Sequence, residues 1–129
     1  MIQIRVDDFD QFHTVLNDTL LKATKTNARV FVLFFANEVP ETGKSWCPDC
    51  VKADPMIKET LNKLDNAVLI EAAAGDRPRY RTNPHPYKTD DQIALKAVPT
   101  LIEWNQTGPV KRLVEAECLI QGNLDAFIQ

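Results

Sequence analysis

The sequence predicts an α/β fold in which a central mixed β-sheet is flanked by helices on both faces. Strand-like and helix-like segments alternate through most of the chain, an order typical of parallel β-α-β units. Two strand-like segments near the end are separated by the turn sequence NQTGP, which predicts an antiparallel hairpin. A chain of 129 residues with 44% hydrophobic content can bury one core, so we expect a single domain over residues 1–129.

Five segments have strand character. The segment 2–6 alternates weakly, whereas 29–36 and 67–74 are almost continuous apolar runs, as in strands buried on both faces. The segments 98–104 and 110–116 flank the predicted hairpin turn. The strands therefore account for both the parallel part and the antiparallel part of the expected sheet.

Four segments have helical character. Apolar residues spaced three and four apart predict amphipathic helices over 7–24 and 47–64. Pro55 stands inside the second of these, where we expect a kink. The segments 88–97 and 117–129 predict a short helix and a closing helix. The predicted order is therefore β-α-β-α-β-α-β-β-α.

Composition and charge exclude several classes of function. The net charge is −3, which predicts neither a nucleic-acid partner nor a membrane surface. The sequence has no signal-peptide pattern at its start and no apolar run near the ~20 residues of a membrane span. These features predict a cytoplasmic protein, which we expect to be a monomer.

Cys47 and Cys50 form a CxxC pair in the sequence WCPDC, directly after a polar loop. Because stable disulfides are rare in the cytosol, such a pair is catalytic or binds metal more often than it is structural. Structural zinc usually needs four ligands, often in two close pairs. The remaining candidates are Cys118, His13 and His85, which form no second pair. We therefore favour a redox pair, and expect Cys118 to be a small buried hydrophobe.

The predicted position of the pair at a helix N-terminus suits redox chemistry. Unpaired N–H groups and the helix macrodipole favour a thiolate over a thiol there, which predicts Cys47 as the nucleophile. Cys50 lies one turn further along, on the same side of the helix, where it can close a disulfide. Pro48 suits the first helical turn, because backbone N–H groups make no intrahelical hydrogen bond there and proline, which lacks the N–H, loses none.

A second motif, AVPTL, places Pro99 at the start of a strand, after Val98. An ordinary trans proline at a strand start is the better explanation of this position when it is considered alone. Its combination with Trp46 and the CxxC pair favours a proline with special geometry.

With these motifs the chain resembles the thioredoxin superfamily, and more closely the small cytosolic thioredoxin-related family called thioredoxin domain-containing protein 17. The resemblance is carried by GKSWCPDC, AVPTL and LVEAECL, and with the order of elements it spans nearly the whole chain. It implies a thioredoxin fold with a redox-active disulfide, in which Cys47 attacks and Cys50 resolves. It also implies a cis Val98–Pro99 bond that faces the cysteines, and Trp46 as a supporting residue of the catalytic site.

The same resemblance implies a protein-disulfide reductase without a bound cofactor. Electrons would come from NADPH through thioredoxin reductase. The implied substrates are cystine and other small or mixed disulfides, nitrosothiols, persulfides and selected proteins, such as a dynein light chain.

The chain departs from ordinary thioredoxins around the motif. Leu33 stands where thioredoxins have a buried aspartate, the usual proton acceptor for the resolving cysteine. Asp49 either replaces that acceptor in part or is only a favourable acid in the first helical turn. The loops 37–45 and 75–87 are longer than in thioredoxin, and the second is rich in arginine. We expect them to flank Cys47 and to obstruct large partners.

Two other functions are compatible with a CxxC motif. A glutathione-linked, glutaredoxin-like reductase shares Pro48 in its CPxC motif, but no Gly-Gly pair follows Val98 and Pro99 to hold glutathione. A redox-gated binding module would use the cysteines to control a partner instead of reducing substrates.

Overall fold

A computed structural model describes the whole chain, residues 1–129, and contains one five-stranded mixed sheet. The strands are β1 Ile2–Val6, β2 Arg29–Phe35, β3 Ala67–Ala73, β4 Thr100–Asn105 and β5 Gly108–Val114. Their order across the sheet is β1-β3-β2-β4-β5. β1, β3 and β2 are parallel, whereas β4 and β5 run antiparallel. The predicted mixed sheet is thus confirmed.

Five α-helices accompany the sheet. They are α1 Phe12–Thr26, α2 Pro48–Leu61, α3 Arg77–Arg81, α4 Pro86–Thr89 and α5 Gln121–Phe127. None of them combines the length and the apolar composition of a membrane span. α2 continues through Pro55 without a break and ends at Leu61, three residues before the predicted end at residue 64.

The helix predicted over 88–97 is wrong. Only Pro86–Thr89 is helical, and turns follow it. The carboxylate of Asp90 accepts hydrogen bonds from the backbone N–H groups of Gln92 and Ile93 at 2.9 Å. Such a side-chain cap competes with helical hydrogen bonds and turns the chain. Ala94 then adopts a left-handed conformation with φ 42°, which is incompatible with a right-handed α-helix at this residue.

Other boundaries differ as well. The predicted loop 75–87 contains α3, which Asp76 caps by accepting a hydrogen bond from the N–H of Arg79 at 2.8 Å. The closing helix predicted over 117–129 is divided into a 3₁₀ turn, Glu115–Leu119, and α5.

Two hydrophobic layers hold the helices against the sheet. On one face, Phe12 and Leu16 of α1 belong to the same core as Val32 of β2. On the other face, Ile57 of α2 belongs to the same core as Leu33 of β2. Alternate residues of β2 thus point to opposite cores, which explains the unbroken apolar run predicted as a doubly buried strand. The chain leaves β2 at its carboxyl end and enters α2, so the CxxC motif lies at this edge of the sheet.

Candidate active site

Cys47 is the N-cap residue of α2. Its extended backbone, with φ −98° and ψ 113°, precedes Pro48 at the first helical position. The N–H of Cys50 donates a hydrogen bond to Sγ of Cys47 across 3.3 Å, and the N–H of Cys47 donates to Oγ of Ser45 across 3.1 Å. Both cysteines are free thiols. The sulfur of Cys47 therefore takes the place that a serine or aspartate oxygen takes in an ordinary helix cap.

Both cysteines are buried. Cys47 keeps 8% of its surface exposed, and Cys50 keeps 5%. Burial raises the pKa of the Cys50 thiol well above its ordinary value, and the neighbouring Cys47 sulfur raises it further. Cys50 is therefore held as a protonated thiol next to a sulfur that accepts its backbone hydrogen bond.

The AVPTL motif faces the cysteines. The Val98–Pro99 bond is cis, as the resemblance implies. The Cys47 thiol lies 3.6 Å from the carbonyl oxygen of Val98, to which it donates. Pro99 lines a cavity that also contains Cys50. The structure thus brings together two motifs that are about fifty residues apart in the sequence.

Trp46 is held by the helical segment after β3. Its Nε1–H donates to the carbonyl oxygen of Gly75 across 3.1 Å, and its ring centroid lies 5.6 Å from that of Tyr80. The guanidinium of Arg77 lies 5.1 Å from the centroid of the Trp46 ring and also donates to the Trp46 carbonyl. The longer 75–87 segment therefore packs against the residue that precedes Cys47.

An open groove of about 540 Å³ surrounds Cys47. Its lining includes charged and aromatic side chains from four parts of the chain, namely Asp49, Tyr80, Arg81, Lys96 and Glu115. Glu115 adopts a left-handed φ of 53°, and its N–H donates to the carbonyl oxygen of Pro99 across 2.7 Å. Sequence reasoning found Asp49 and the arginine-rich segment. It missed the other three side chains because no motif marks them.

The third cysteine and the two histidines lie apart from the CxxC pair. Cys118 is completely buried, and burial raises the pKa of its thiol to about 12. His13 pairs with Asp90, and His85 is buried beneath the chain segment that follows β3. No group of three or more His, Cys, Asp or Glu side chains is positioned to hold a metal ion.

Residues 6–129 of the chain match a known family model. The family is described as thioredoxin domain-containing protein 17-like, thioredoxin domain. The chain belongs to this family. It is 31% identical over 123 residues to thioredoxin domain-containing protein 17 of Homo sapiens. The aligned region covers 95% of this chain and 89% of that protein. It is 51% identical over 76 residues to the thioredoxin-like protein Clot of Arabidopsis thaliana. This aligned region covers 58% of this chain and 57% of that protein.

Solved structures agree on the fold. The reduced thioredoxin pre-protein of Schistosoma mansoni superposes with a TM-score of 0.62 at 21% identity, covering 99% of this chain and 96% of that one. Thioredoxin O2 of Arabidopsis thaliana, in its oxidised state, gives a TM-score of 0.62 at 17% identity, covering 98% and 90%. The predicted thioredoxin fold is confirmed. With its family and its adjacent cysteines, the chain is a thioredoxin-like redox protein.

Proposed function

We propose that the protein is a dithiol-disulfide oxidoreductase in which Cys47 attacks and Cys50 resolves. The observation that carries the proposal is the 3.3 Å hydrogen bond from the Cys50 N–H to Sγ of Cys47. This contact stabilises negative charge on the attacking sulfur at the positive end of α2. It also places the second cysteine one helical turn away from the first.

In the first step the Cys47 thiolate attacks one sulfur of a substrate disulfide. A bond forms between Sγ of Cys47 and that sulfur, the substrate S–S bond breaks, and the other substrate sulfur leaves as a thiolate that takes up a proton. Cys47 lines the open groove, so we expect the substrate disulfide to reach its sulfur from there. The carbonyl oxygen of Val98, 3.6 Å from Sγ, forms the wall opposite the helix.

In the second step Cys50 loses its proton and attacks Sγ of Cys47. The mixed disulfide breaks, a disulfide forms between Cys47 and Cys50, and the second substrate thiol is released. Two electrons have then passed from the protein dithiol to the substrate. Thioredoxin reductase, supplied by NADPH, returns the protein to its dithiol form.

The groove supports a preference for small substrates. Trp46, Tyr80 and Arg81 all line it, and the rings of Trp46 and Tyr80 lie 5.6 Å apart, so the segment after β3 restricts the approach of large partners. The proposed substrates are cystine-like and mixed disulfides, nitrosothiols, persulfides and selected proteins with an exposed disulfide.

Oxidation of NADPH tests this proposal. Purified protein with thioredoxin reductase and cystine should consume NADPH, and the Cys47→Ser variant should not. Consumption only with glutathione and glutathione reductase would indicate a glutaredoxin-like enzyme. No consumption with either system would contradict a reductase and favour a redox-gated binding module.

A further inference from the structure

A second cavity lies beside Cys50, apart from the groove around Cys47. It has a volume of about 230 Å³ and is also lined by Leu33 and Pro99. Six charged side chains line it as well, namely Arg5, Glu38, Lys44, Asp54, Lys58 and Glu71. The space of about 230 Å³ is more than ten times the ~15 Å³ that one water molecule needs, and its polar lining suits water.

Glu71 belongs to β3, a strand whose other six residues are all buried and apolar. It stands next to Leu33 in the register of β2 and β3, and next to Arg5 in the register of β1 and β3. A carboxylate at such a position costs free energy unless it is paired. Nζ of Lys58, on α2, lies 2.9 Å from Oε1 of Glu71 and supplies that partner.

Of the three carboxylates that line this cavity, Glu71 is the most enclosed. Its side chain is 16% exposed, against 42% for Glu38 and 44% for Asp54. Both carboxylate oxygens of Glu38 accept hydrogen bonds from Arg5, at 2.8 and 2.9 Å, and the hydrogen bond from Arg5 lowers the Glu38 pKa. Glu71 is therefore the carboxylate best placed to exchange a proton with a buried neighbour.

Cys50 needs such a proton acceptor. Its thiol is buried, and burial raises its pKa, so few molecules carry a Cys50 thiolate at neutral pH. Leu33, at the wall of the same cavity, has no group that accepts a proton. Asp49 lines the groove around Cys47 and is not part of the lining beside Cys50.

We propose that Glu71 accepts the proton of Cys50, through water in this cavity, during the resolving step, and that Lys58 positions it. The proposal rests on the proposed function. The proton moves from Sγ of Cys50 to the carboxylate of Glu71 as Sγ of Cys50 bonds to Sγ of Cys47. The bond from Cys47 to the substrate sulfur breaks, and the proton passes from Glu71 through the cavity to solvent, where the released thiolate is protonated.

Lys58 also supports the step electrostatically. Burial acts to lower the pKa of Lys58, but its hydrogen bonds to Glu71 and Asp54 outweigh this effect and raise the pKa. The ammonium group therefore stays charged while Glu71 is transiently neutral. Its positive charge then favours the thiolate that forms at Cys50.

The two thiol steps separate in a stopped-flow reaction with dithiobis-nitrobenzoate, an aryl disulfide that releases a coloured thiolate. The first release reports attack by Cys47 and depends on reagent concentration. The second release reports resolution by Cys50. Its rate does not depend on reagent concentration, because the step is intramolecular. The aryl thiolate leaves without a proton, so the second phase isolates the loss of the proton from Cys50.

Glu71→Gln should slow the second phase at least about tenfold near neutral pH, since a general base contributes ~10²-fold or more. In the variant the second phase should also rise steeply with pH, because only Cys50 that is already ionised reacts. Glu71→Asp should restore much of the rate. Glu38→Gln removes a carboxylate of the same cavity that pairs with Arg5 and not with Lys58, and should leave the second phase within about twofold of the wild-type rate.

The first phase is the internal control for folding and for the proposed function. If it is normal in Glu71→Gln and the second phase keeps the wild-type rate and pH profile, Glu71 is not the acceptor. Equal slowing in Glu38→Gln would likewise overturn the proposal, in favour of a general effect of cavity charge. If wild-type protein shows no first phase, the proposed function itself fails.

Discussion

The backbone N–H of Cys50 donates a hydrogen bond to the Sγ atom of Cys47, the N-cap of α2, across 3.3 Å. One contact thus has two consequences. It stabilises negative charge on the sulfur that we propose attacks the substrate, and it holds the second cysteine within reach of the first. Both consequences follow when a helix begins at a cysteine and a second cysteine stands three residues later.

Asp49 lies in the first turn of α2 and lines the groove around Cys47. Its negative charge opposes the charge that the attacking sulfur carries. Asp49→Asn should therefore speed the first phase of the aryl disulfide reaction about twofold to fivefold at low salt, as expected for a surface charge. Asp49→Glu is the matched control that keeps the charge.

The second phase of the same reaction decides the role of Asp49. If Asp49 is only a charge at the start of the helix, the Asn variant resolves its mixed disulfide at the wild-type rate. Slower resolution, with Glu71 intact, would show that Asp49 relays the proton of Cys50.

Arg81 and Lys96 are the cationic side chains that line the groove around Cys47. Arg77 packs on Trp46, and Arg79 lies 4.9 Å from the ring of Phe9. Neutralising Arg81 and Lys96 together, by substitution with Gln, should slow reduction of anionic oxidised glutathione several-fold at low ionic strength. The effect should fade at physiological salt, where charges are screened over about 8 Å.

Net-neutral cystine and a remote substitution provide the controls for the groove. Cystine reduction should change much less in the double variant, and Lys25→Gln, on α1, should change neither substrate. Equal loss with cystine and oxidised glutathione would point to structural damage and would contradict steering by these charges.

Cys118 should be inert in the folded protein. It is fully buried, and burial raises its thiol pKa to about 12, so almost no thiolate exists at neutral pH. Iodoacetamide added to the native reduced protein should label Cys47 and leave Cys118 unmodified, as seen by mass spectrometry of its peptides. Labelling after denaturation provides the positive control. Labelling of native Cys118 at a rate near that of Cys47 would contradict its burial.

His85 should make stability depend on pH. Its Nδ1 accepts a hydrogen bond from the N–H of Tyr87, and its Nε2 lies 2.8 Å from the carbonyl oxygen of Ala74, to which it donates. Burial lowers the pKa of His85, and the charges of Arg79 and Lys88 lower it further. Below about pH 6.5 the unfolded chain therefore binds a proton that the folded protein resists.

The resulting sign is a loss of stability as pH falls. Urea unfolding should give a smaller free energy at about pH 5.5 than at about pH 7.5. His85→Gln should reduce this difference, whereas His13→Gln, at an exposed position, should retain it. An unchanged pH dependence in His85→Gln would show that His85 is not the source.

Local patterns predicted much of the fold. The apolar runs of β2 and β3 and the helical periodicity of α1 and α2 depend on neighbours in the chain, so they can be read from the sequence. The error over 88–97 arose because Asp90 caps two backbone N–H groups of its own turn, which outweighs a weak helical pattern.

The site was predictable only where it is marked by a motif. WCPDC and AVPTL are motifs, whereas Tyr80, Lys96 and Glu115 reach the groove from separate segments whose meeting depends on the whole fold. One signal was available and unused. Glu71 is a charged residue in an otherwise apolar strand, and such residues are rarely enclosed without a partner or a role.

Trapping of the mixed disulfide tests most directly whether Cys47 attacks and Cys50 resolves. Cys50→Ser protein, incubated with a disulfide substrate and analysed by peptide mass spectrometry, should carry a stable mixed disulfide on Cys47. Cys47→Ser should carry none, and wild-type protein should instead contain the Cys47–Cys50 disulfide. A substrate adduct on Cys118, or multiple turnover by Cys50→Ser at the wild-type rate, would contradict the account.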